Sequence, residues 1–163
     1  ITSRFVELLN EVKRELLANS PHQNSNIQCP QSAPREKNEV KEVPAITSCE
    51  LEPSKVSGQY WLAVPDMPAF EVYCEQTLQG GGWIVIQNRF DGSVDFYRNW
   101  TDYKEGFGRL DGEFWLGLDK INLLTSHKAR KLLVHLEDFS GNKKFALYSE
   151  FAIGSESEQY VLS

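Results

Sequence analysis

The stretch GGGWIVIQNRFDGSVDFYRNW at positions 80–100 decides the fold. Three consecutive glycines precede Trp83 and a run rich in β-branched residues, which predicts a turn that leads into a strand. A phosphate-binding loop would instead continue into a helix through a Lys-Ser or Lys-Thr pair, so the pattern argues against phosphate binding. We interpret the glycines as positions where the backbone packs too closely for a β-carbon.

Asp91-Gly92, in the same stretch, predicts a hairpin turn. The run 91–95 also matches the start of an EF-hand calcium loop. Phe96, however, stands where that loop needs glycine, and Asp102 stands where it needs glutamate. The hairpin turn is therefore the better interpretation, and we expect no metal site here.

Asp111-Gly112-Glu113 supplies a second pair of carboxylates, and its Asp-Gly step again predicts a turn. The neighbouring Phe114 and Trp115 are predicted to be core residues. No catalytic carboxylate pair, nucleophile elbow or histidine cluster accompanies them, so we expect a protein that is not an enzyme.

Further strands and short helices are predicted on both sides of this stretch. Ser140-Gly141-Asn142 is a predicted turn between the last two strands. The predicted strands are FEVYC (70–74), WIVIQ (83–87), KLLVHLE (131–137) and KFALYSEFAI (144–153), and the predicted helical pieces are 102–108 and 119–125.

The composition changes near residue 57. All 11 glycines lie beyond that point, as do all the aromatic residues except Phe5. The net charge of −6 gives no attraction for phosphate backbones, so we expect no nucleic-acid partner. No apolar run reaches the length of about 18 residues that a membrane span needs. The aromatic- and glycine-rich part is therefore expected to form the packed domain.

Residues 1–19 are predicted to form a helix. Phe5, Leu9, Val12 and Leu16 follow the a/d spacing of a coiled coil, and the helix ends before Pro21. We expect the tail of a longer coiled-coil stem, with a single helix packed on its own domain as the alternative. Residues 20–45 are rich in Pro, Gln, Asn, Lys and Glu, and are predicted to be a flexible linker.

The cysteines are Cys29, Cys49 and Cys74. An odd number in a secreted protein suggests one bridge within the chain and one thiol for another chain. Cys49–Cys74 would tie the domain's edge to its first strand, leaving Cys29 as the candidate for an interchain disulfide. Three reduced thiols in a cytosolic protein are the alternative. Asn99, in Asn-Trp-Thr, is a candidate glycosylation site if the chain is secreted.

These motifs together resemble the fibrinogen-related domain, the C-terminal globular module of fibrinogen chains, ficolins, angiopoietin-like factors and tenascins. The resemblance is carried by GQYW (58–61), FEVYCE (70–75), positions 80–100, DYKEGFG (102–108) and GEFWLGLDKI (112–121). It implies an α+β fold, mostly antiparallel sheet with short helices.

Within that resemblance, Cys49 and Cys74 correspond to the family's first intradomain disulfide. Gly80 to Trp83 and Glu113 to Gly117 correspond to framework motifs and not to ligand contacts. The family's domain is about twice as long as the matching part, so we expect 46–163 to be the N-terminal part of a truncated domain. The resemblance places the family's calcium site and ligand pocket in the missing C-terminal half, so no calcium or ligand-binding residue is assigned. A half domain would expose an unfinished sheet edge.

The resemblance implies a secreted, extracellular recognition protein that forms homo-oligomers through its stem. Its head would bind glycans or acetylated groups in the manner of a lectin, each contact being weak and strengthened by avidity. An angiopoietin-like ligand of a cell-surface receptor is the alternative, and an extracellular-matrix protein is a third possibility.

Overall fold

The computed structural model describes residues 45–65, 67–126 and 129–163. The predicted coiled-coil helix 1–19, the linker as far as residue 44, and Cys29 lie outside the described residues. The helices and strands, numbered in chain order, are β1 (Gly58–Leu62), β2 (Phe70–Glu75), β3 (Trp83–Val85), β4 (Gln87–Asn88), α1 (Trp100–Glu105), β5 (Phe107–Gly108), β6 (Phe114–Trp115), α2 (Leu118–Ser126), β7 (Arg130–Glu137) and β8 (Lys143–Phe151).

The strands form three small antiparallel sheets in the described part of the chain. Their orders are β1-β2-β3, β4-β6-β5 and β7-β8. In the first sheet Gly58 faces Cys74 across the β1–β2 pair, and Cys74 in turn faces Ile84 across the β2–β3 pair. The central strand β2 therefore carries the cysteine that anchors the preceding segment.

A disulfide joins Cys49, in a short 3-10 turn at Cys49–Leu51, to Cys74 in β2. Both side chains are buried, and the Cα atoms lie 5.4 Å apart. The Gln76 side chain reinforces this junction, because its Nε2 donates to the Cys49 carbonyl at 2.7 Å and its Oε1 accepts from the Gly82 amide at 2.9 Å. The disulfide and the Gln76–Cys49 hydrogen bond thus fix the segment before β1 to the first sheet, and the Gln76–Gly82 hydrogen bond ties the turn before β3 to the same junction.

The glycine cluster fits the interpretation of close packing most clearly at Gly81. Its φ of 75° lies in the left-handed region, and a β-carbon there would lie 2.4 Å from the Gln76 carbonyl oxygen. A β-carbon at Gly80 would meet nothing within 4 Å. Gly81 is therefore required by the packing of the backbone as well as by its conformation.

The first helix begins at a side-chain cap. Asn99 Oδ1 accepts a hydrogen bond from the Asp102 amide at 2.9 Å, and the helix ends at Gly106, whose φ is 97°. Tyr103 on this helix is buried, and the indole of Trp115 donates to its carbonyl oxygen at 2.8 Å. The helix and the second sheet therefore share one core.

The core gathers residues from all three sheets and from both helices. Its fully buried members include Leu62, Val72 and Ile121. Phe114 and Trp115 are also buried, as predicted. The remaining buried apolar residues are Cys49, Cys74, Tyr103, Leu116, Leu118, Phe151, Ile153 and Tyr160.

Most predicted strands are present, but two local predictions need correction. The helical piece predicted at 102–108 is instead α1 followed by β5, since Gly106 ends the helix. The hairpin predicted at Asp91-Gly92 is wrong. A turn is present there, but no strand follows it directly, and β4 pairs with β6. The amides of this turn are bound by a side chain from a distant part of the sequence.

Candidate functional site

The loop that follows β4, residues 89–98, is held by a buried carboxylate. Glu113 is 2% exposed, and its Oε1 accepts hydrogen bonds from the amides of Phe90 (2.6 Å), Asp91 (2.9 Å) and Gly92 (2.9 Å). Its Oε2 accepts from the Val94 amide at 3.1 Å. One side chain therefore satisfies most of the backbone donors at the start of the loop.

These contacts shift the titration of the carboxyl group. The amide of Gly92, with those of Val94, Phe90 and Asp91, lowers the pKa of Glu113 from 4.5 to about 2, against the opposing effect of burial. Hydrogen bonds to a carboxylate favour its charged form. Glu113 is thus a permanent internal anion under the loop at physiological pH.

The second half of the 89–98 loop is fixed by local hydrogen bonds. Asp95 Oδ1 accepts from the Tyr97 amide at 2.8 Å, and its carbonyl oxygen accepts from Arg98 Nε at 2.8 Å. The Tyr103 hydroxyl donates to the Phe96 carbonyl at 2.8 Å. The loop is therefore pinned at both ends without contributing a strand to any sheet.

Two arginines of this loop lie over aromatic rings, one in the loop itself and one in β5. The Arg89 guanidinium lies 4.3 Å from the centroid of the Phe96 ring, and that of Arg98 lies 5.3 Å from the centroid of the Phe107 ring. The two rings meet edge to face, with centroids 4.9 Å apart. Stacking of this kind orients each guanidinium and leaves most of its hydrogen-bond donors available.

The outer surface of the loop carries two large exposed aromatic residues. Phe90 is 64% exposed and Tyr97 is 75% exposed. A mobile loop would lose entropy on binding, but this one is already ordered by Glu113 and by its own turns. We name the side chains of Arg89, Phe90, Tyr97 and Arg98 the loop surface.

The residues predicted as sites from the sequence lie elsewhere. Cys49 and Cys74 form the buried disulfide described above. Asn99 is exposed immediately after the loop surface, where its side-chain oxygen caps α1. Cys29 lies outside the described residues. Sequence reasoning missed the importance of Glu113, although its place before the buried Phe114-Trp115 pair was visible.

Within the described ranges, no group of three or more His, Cys, Asp and Glu side chains lies close enough together to hold a metal ion. The same part of the chain contains no helix that is long and apolar enough to cross a membrane.

Comparison with protein families gives a match over most of the described residues. The family model described as "Fibrinogen beta and gamma chains, C-terminal globular domain" matches residues 48–163. That range covers more than half of the chain, and it includes the disulfide, the loop surface and both helices.

Two curated proteins and one solved structure are similar to the chain. It is 47% identical to Ryncolin-4 of Cerberus rynchops and 50% identical to angiopoietin-related protein 1 of Bos taurus, each over 108 residues. Each alignment covers 66% of this chain, but only 31% and 22% of those proteins, respectively. The fibrinogen-like globe domain of human ANGPTL2 superposes with a TM-score of 0.68 at 45% identity, covering 73% of this chain and 56% of that one.

The chain thus spans less than a third of the length of these curated relatives and just over half of the solved domain. The family match, the sequence identity and the superposition agree with one another, and the antiparallel sheets and short helices are those expected from the sequence. The chain belongs to the family of the fibrinogen C-terminal globular domain.

Proposed function

We propose that this chain is a secreted recognition protein, not an enzyme, whose fibrinogen-like head binds a protein partner outside the cell. The observation that carries the proposal is the loop surface, where exposed Phe90 and Tyr97 are flanked by Arg89 and Arg98 on a pinned backbone. A cell-surface receptor is the class of partner that we favour, as in the angiopoietin-like alternative drawn from the sequence. The buried Cys49–Cys74 disulfide supports an oxidising, extracellular location.

The composition of the loop surface favours a protein over a sugar. Aromatic residues and arginine are the residues most enriched at the energetic centres of protein interfaces. Phe90 has no polar atom on its side chain and gains most by entering an apolar pocket of a partner. The arginines can donate to carboxylates at the rim of such a pocket.

Binding of glycans or acetylated groups is the second candidate. It is supported by membership of a family that, by the resemblance given above, includes ficolins. In this candidate each head binds weakly, and a multimeric stem supplies the avidity. A role in the extracellular matrix is compatible with the same family and the same disulfide.

The proposal includes oligomers formed through residues 1–19, with Cys29 as the interchain disulfide. It also includes a glycan on Asn99, which is exposed and uses only its oxygen as the helix cap. Electrophoresis of the secreted protein with and without reductant tests the first, and removal of N-linked glycans followed by mass measurement tests the second.

The two candidate functions are distinguished by probing two arrays in parallel with the same labelled chain. One array carries purified ectodomains of cell-surface receptors, and the other carries glycans that include acetylated sugars. We expect binding to an ectodomain that falls at least tenfold in a Phe90→Ala/Tyr97→Ala variant. Phe139→Ala is the matched control, because Phe139 is a fully exposed aromatic residue remote from the loop in sequence, and it should leave that binding unchanged.

Glycan binding that the double variant retains would overturn the protein-partner proposal in favour of the lectin-like candidate. Ectodomain binding that Phe139→Ala weakens as much as the double variant would show that the loop surface is not the contact.

A further inference from the structure

Asn99 lies directly beside the loop surface, at the start of α1. The residue is exposed, and its Oδ1 accepts the capping hydrogen bond from the Asp102 amide at 2.9 Å. Its Nδ2 makes no hydrogen bond with any of the described residues. Thr101, two positions later, is exposed as well. The acceptor tripeptide Asn-Trp-Thr therefore offers a free amide nitrogen at the surface of the folded chain.

Chain spacing and one hydrogen bond keep Asn99 close to the loop surface. Asn99 and Tyr97 are two residues apart, so their Cα atoms lie within about 7.6 Å of each other. The Tyr103 hydroxyl, on α1, donates to the Phe96 carbonyl at 2.8 Å and so ties the helix to the loop. A glycan on Asn99 would thus be attached next to Arg98, on a backbone that cannot carry it away from the loop surface.

We propose that an N-linked glycan on Asn99 masks the loop surface and prevents it from binding a protein partner. The inference rests on the function proposed above and assigns the regulation of that same site to the glycan. Residues at the energetic centre of a protein interface have to lose their water and pack closely against the partner. A bulky, hydrated oligosaccharide beside Tyr97 occupies the space that the partner needs and keeps water over the loop surface.

The modification transfers an oligosaccharide from a lipid-linked pyrophosphate donor to the Asn99 side chain. Nδ2 loses one proton and forms a bond to the anomeric carbon of the first sugar, while the bond between that carbon and the pyrophosphate oxygen breaks. The lipid pyrophosphate leaves with the electron pair of the broken bond. Because the product is still an amide, it keeps the Oδ1 acceptor that caps α1.

Contacts from a later segment of the chain limit when this transfer can occur. Trp100, the middle residue of the tripeptide, donates through Nε1 to Glu156 Oε1 at 3.3 Å, and its ring centroid lies 5.7 Å from that of Tyr160. Lys104, one turn further along α1, pairs with the same glutamate at 2.6 Å. An acceptor tripeptide is read in an accessible loop, so the transfer has to precede these contacts. Modification thus competes with folding, and we expect heads with and without the glycan together.

The test compares the two forms of the 163-residue chain after expression through a secretory pathway. Intact mass should show two forms that differ by one N-linked glycan. The probe is an antibody fragment selected on the Thr101→Ala chain, which lacks the acceptor but keeps the Asn99 cap. It is chosen because it no longer binds when Phe90→Ala/Tyr97→Ala is added to that chain. We expect it to bind the glycosylated form at least tenfold more weakly than the unglycosylated form.

Three controls separate masking from other effects of the glycan. Enzymatic release of the glycan converts Asn99 to aspartate, which also caps helices, and should restore full binding. Lys144→Thr, added to the Thr101→Ala chain, completes an acceptor tripeptide at Asn142 in the exposed turn between β7 and β8. A glycan there, verified by mass, should leave the affinity of the fragment unchanged. Thr101→Ser keeps the acceptor and should give the same two forms as the wild type.

A single secreted form, either with or without the glycan, would overturn the proposal. Equal affinity of the fragment for the two forms would also overturn it, as would the same loss of affinity caused by a glycan on Asn142. Receptor binding is measured separately from these results. It fails if the Thr101→Ala chain, which carries no glycan at Asn99, binds no ectodomain.

Discussion

The 89–98 loop and the β7–β8 hairpin differ in how far their backbone donors and acceptors find partners. The loop contributes no strand, yet Glu113 and local turns satisfy its amides. The hairpin has a ladder of strand pairs with one register shift at its base, yet in the described part of the chain its edges are unpaired and several of its outer side chains are exposed. The segment without regular secondary structure is thus the one whose amides are bonded, and the segment made of strands is the one with unpaired edges.

The difference shows that regular secondary structure alone does not tell which part of a domain is tightly packed. The 89–98 loop depends on a buried carboxylate from a later part of the sequence, just as the segment before β1 depends on the disulfide. The hairpin depends on its local register and on a small contact with the core. Substitutions that remove the carboxylate or the disulfide should therefore destabilise the whole chain. Substitutions in the hairpin should instead affect its association with other polypeptides.

The largest effect is expected from Glu113→Ala. The substitution leaves the amides of Phe90, Asp91, Gly92 and Val94 without their acceptor in a partly buried site, where the loss of four hydrogen bonds to one carboxylate is costly. We expect the melting temperature to fall by on the order of 10 °C in thermal unfolding followed by circular dichroism. Glu150→Ala, at an exposed glutamate in β8, is the control. Equal melting temperatures for the two variants would contradict the role given to Glu113.

The second-largest effect on stability is expected from loss of the Cys49–Cys74 disulfide. Its two cysteines are 25 residues apart, and closing a loop of that size is worth about 3 kcal/mol in the chain-entropy model. Urea unfolding of the Cys49→Ser/Cys74→Ser variant should give a free energy of unfolding that is lower by about that amount. A Cys29→Ser variant is the control and should unfold as the wild type does. No difference between the two would show that the bridge is unimportant for stability.

A smaller effect is expected from pH, through the same glutamate. The amide of Gly92, together with the other loop amides, depresses the pKa of Glu113 to about 2 in the folded chain, so the unfolded chain binds the proton more readily. Its contribution to stability is therefore complete above pH 4.5 and is lost as the pH falls toward 2. The difference in melting temperature between the wild type and Glu113→Gln should shrink over this range. A constant difference would mean that the carboxylate charge is not what binds the loop.

The smallest effect on stability is expected in the hairpin. Phe145→Thr and Leu147→Thr remove apolar groups that are already more than half exposed, while keeping a residue suited to strands. Their free energies of unfolding should stay within about 0.5 kcal/mol of the wild type, whereas aggregation measured by light scattering should fall. Leu62→Thr, at a fully buried position of β1, is the destabilising counterpart. A hairpin variant whose free energy of unfolding falls as far as that of Leu62→Thr would show that the hairpin side chains are part of the packed core.

Local patterns in the sequence predicted most of the residues that lie in strands, but not the strands β1, β5 and β6. The runs at 70–74, 83–87, 131–137 and 144–153 all contain strands, and Ser140-Gly141-Asn142 lies in the turn between β7 and β8. Residue preferences and turn chemistry act over a few neighbours, so they are readable without knowledge of the tertiary structure.

The 89–98 loop could not be predicted in this way. Asp91-Gly92 has the residues of a hairpin turn, but its amides find their acceptor in Glu113, about twenty positions further along the chain. Nothing in the composition of Asp111-Gly112-Glu113 distinguishes a buried glutamate from a solvated one. The loop surface, which carries the proposed function, was invisible for the same reason, because only the tertiary contacts place the arginines over Phe96 and Phe107.

Hydrogen exchange of the intact chain tests the contrast between the two regions most directly. The account predicts that the amides of Phe90 to Gly92, although outside any strand, exchange as slowly as those of the central strand β2, because Glu113 holds them. It predicts fast exchange for the edge-facing amides of β7 and β8. Rapid exchange in the loop together with strong protection along the hairpin would contradict it.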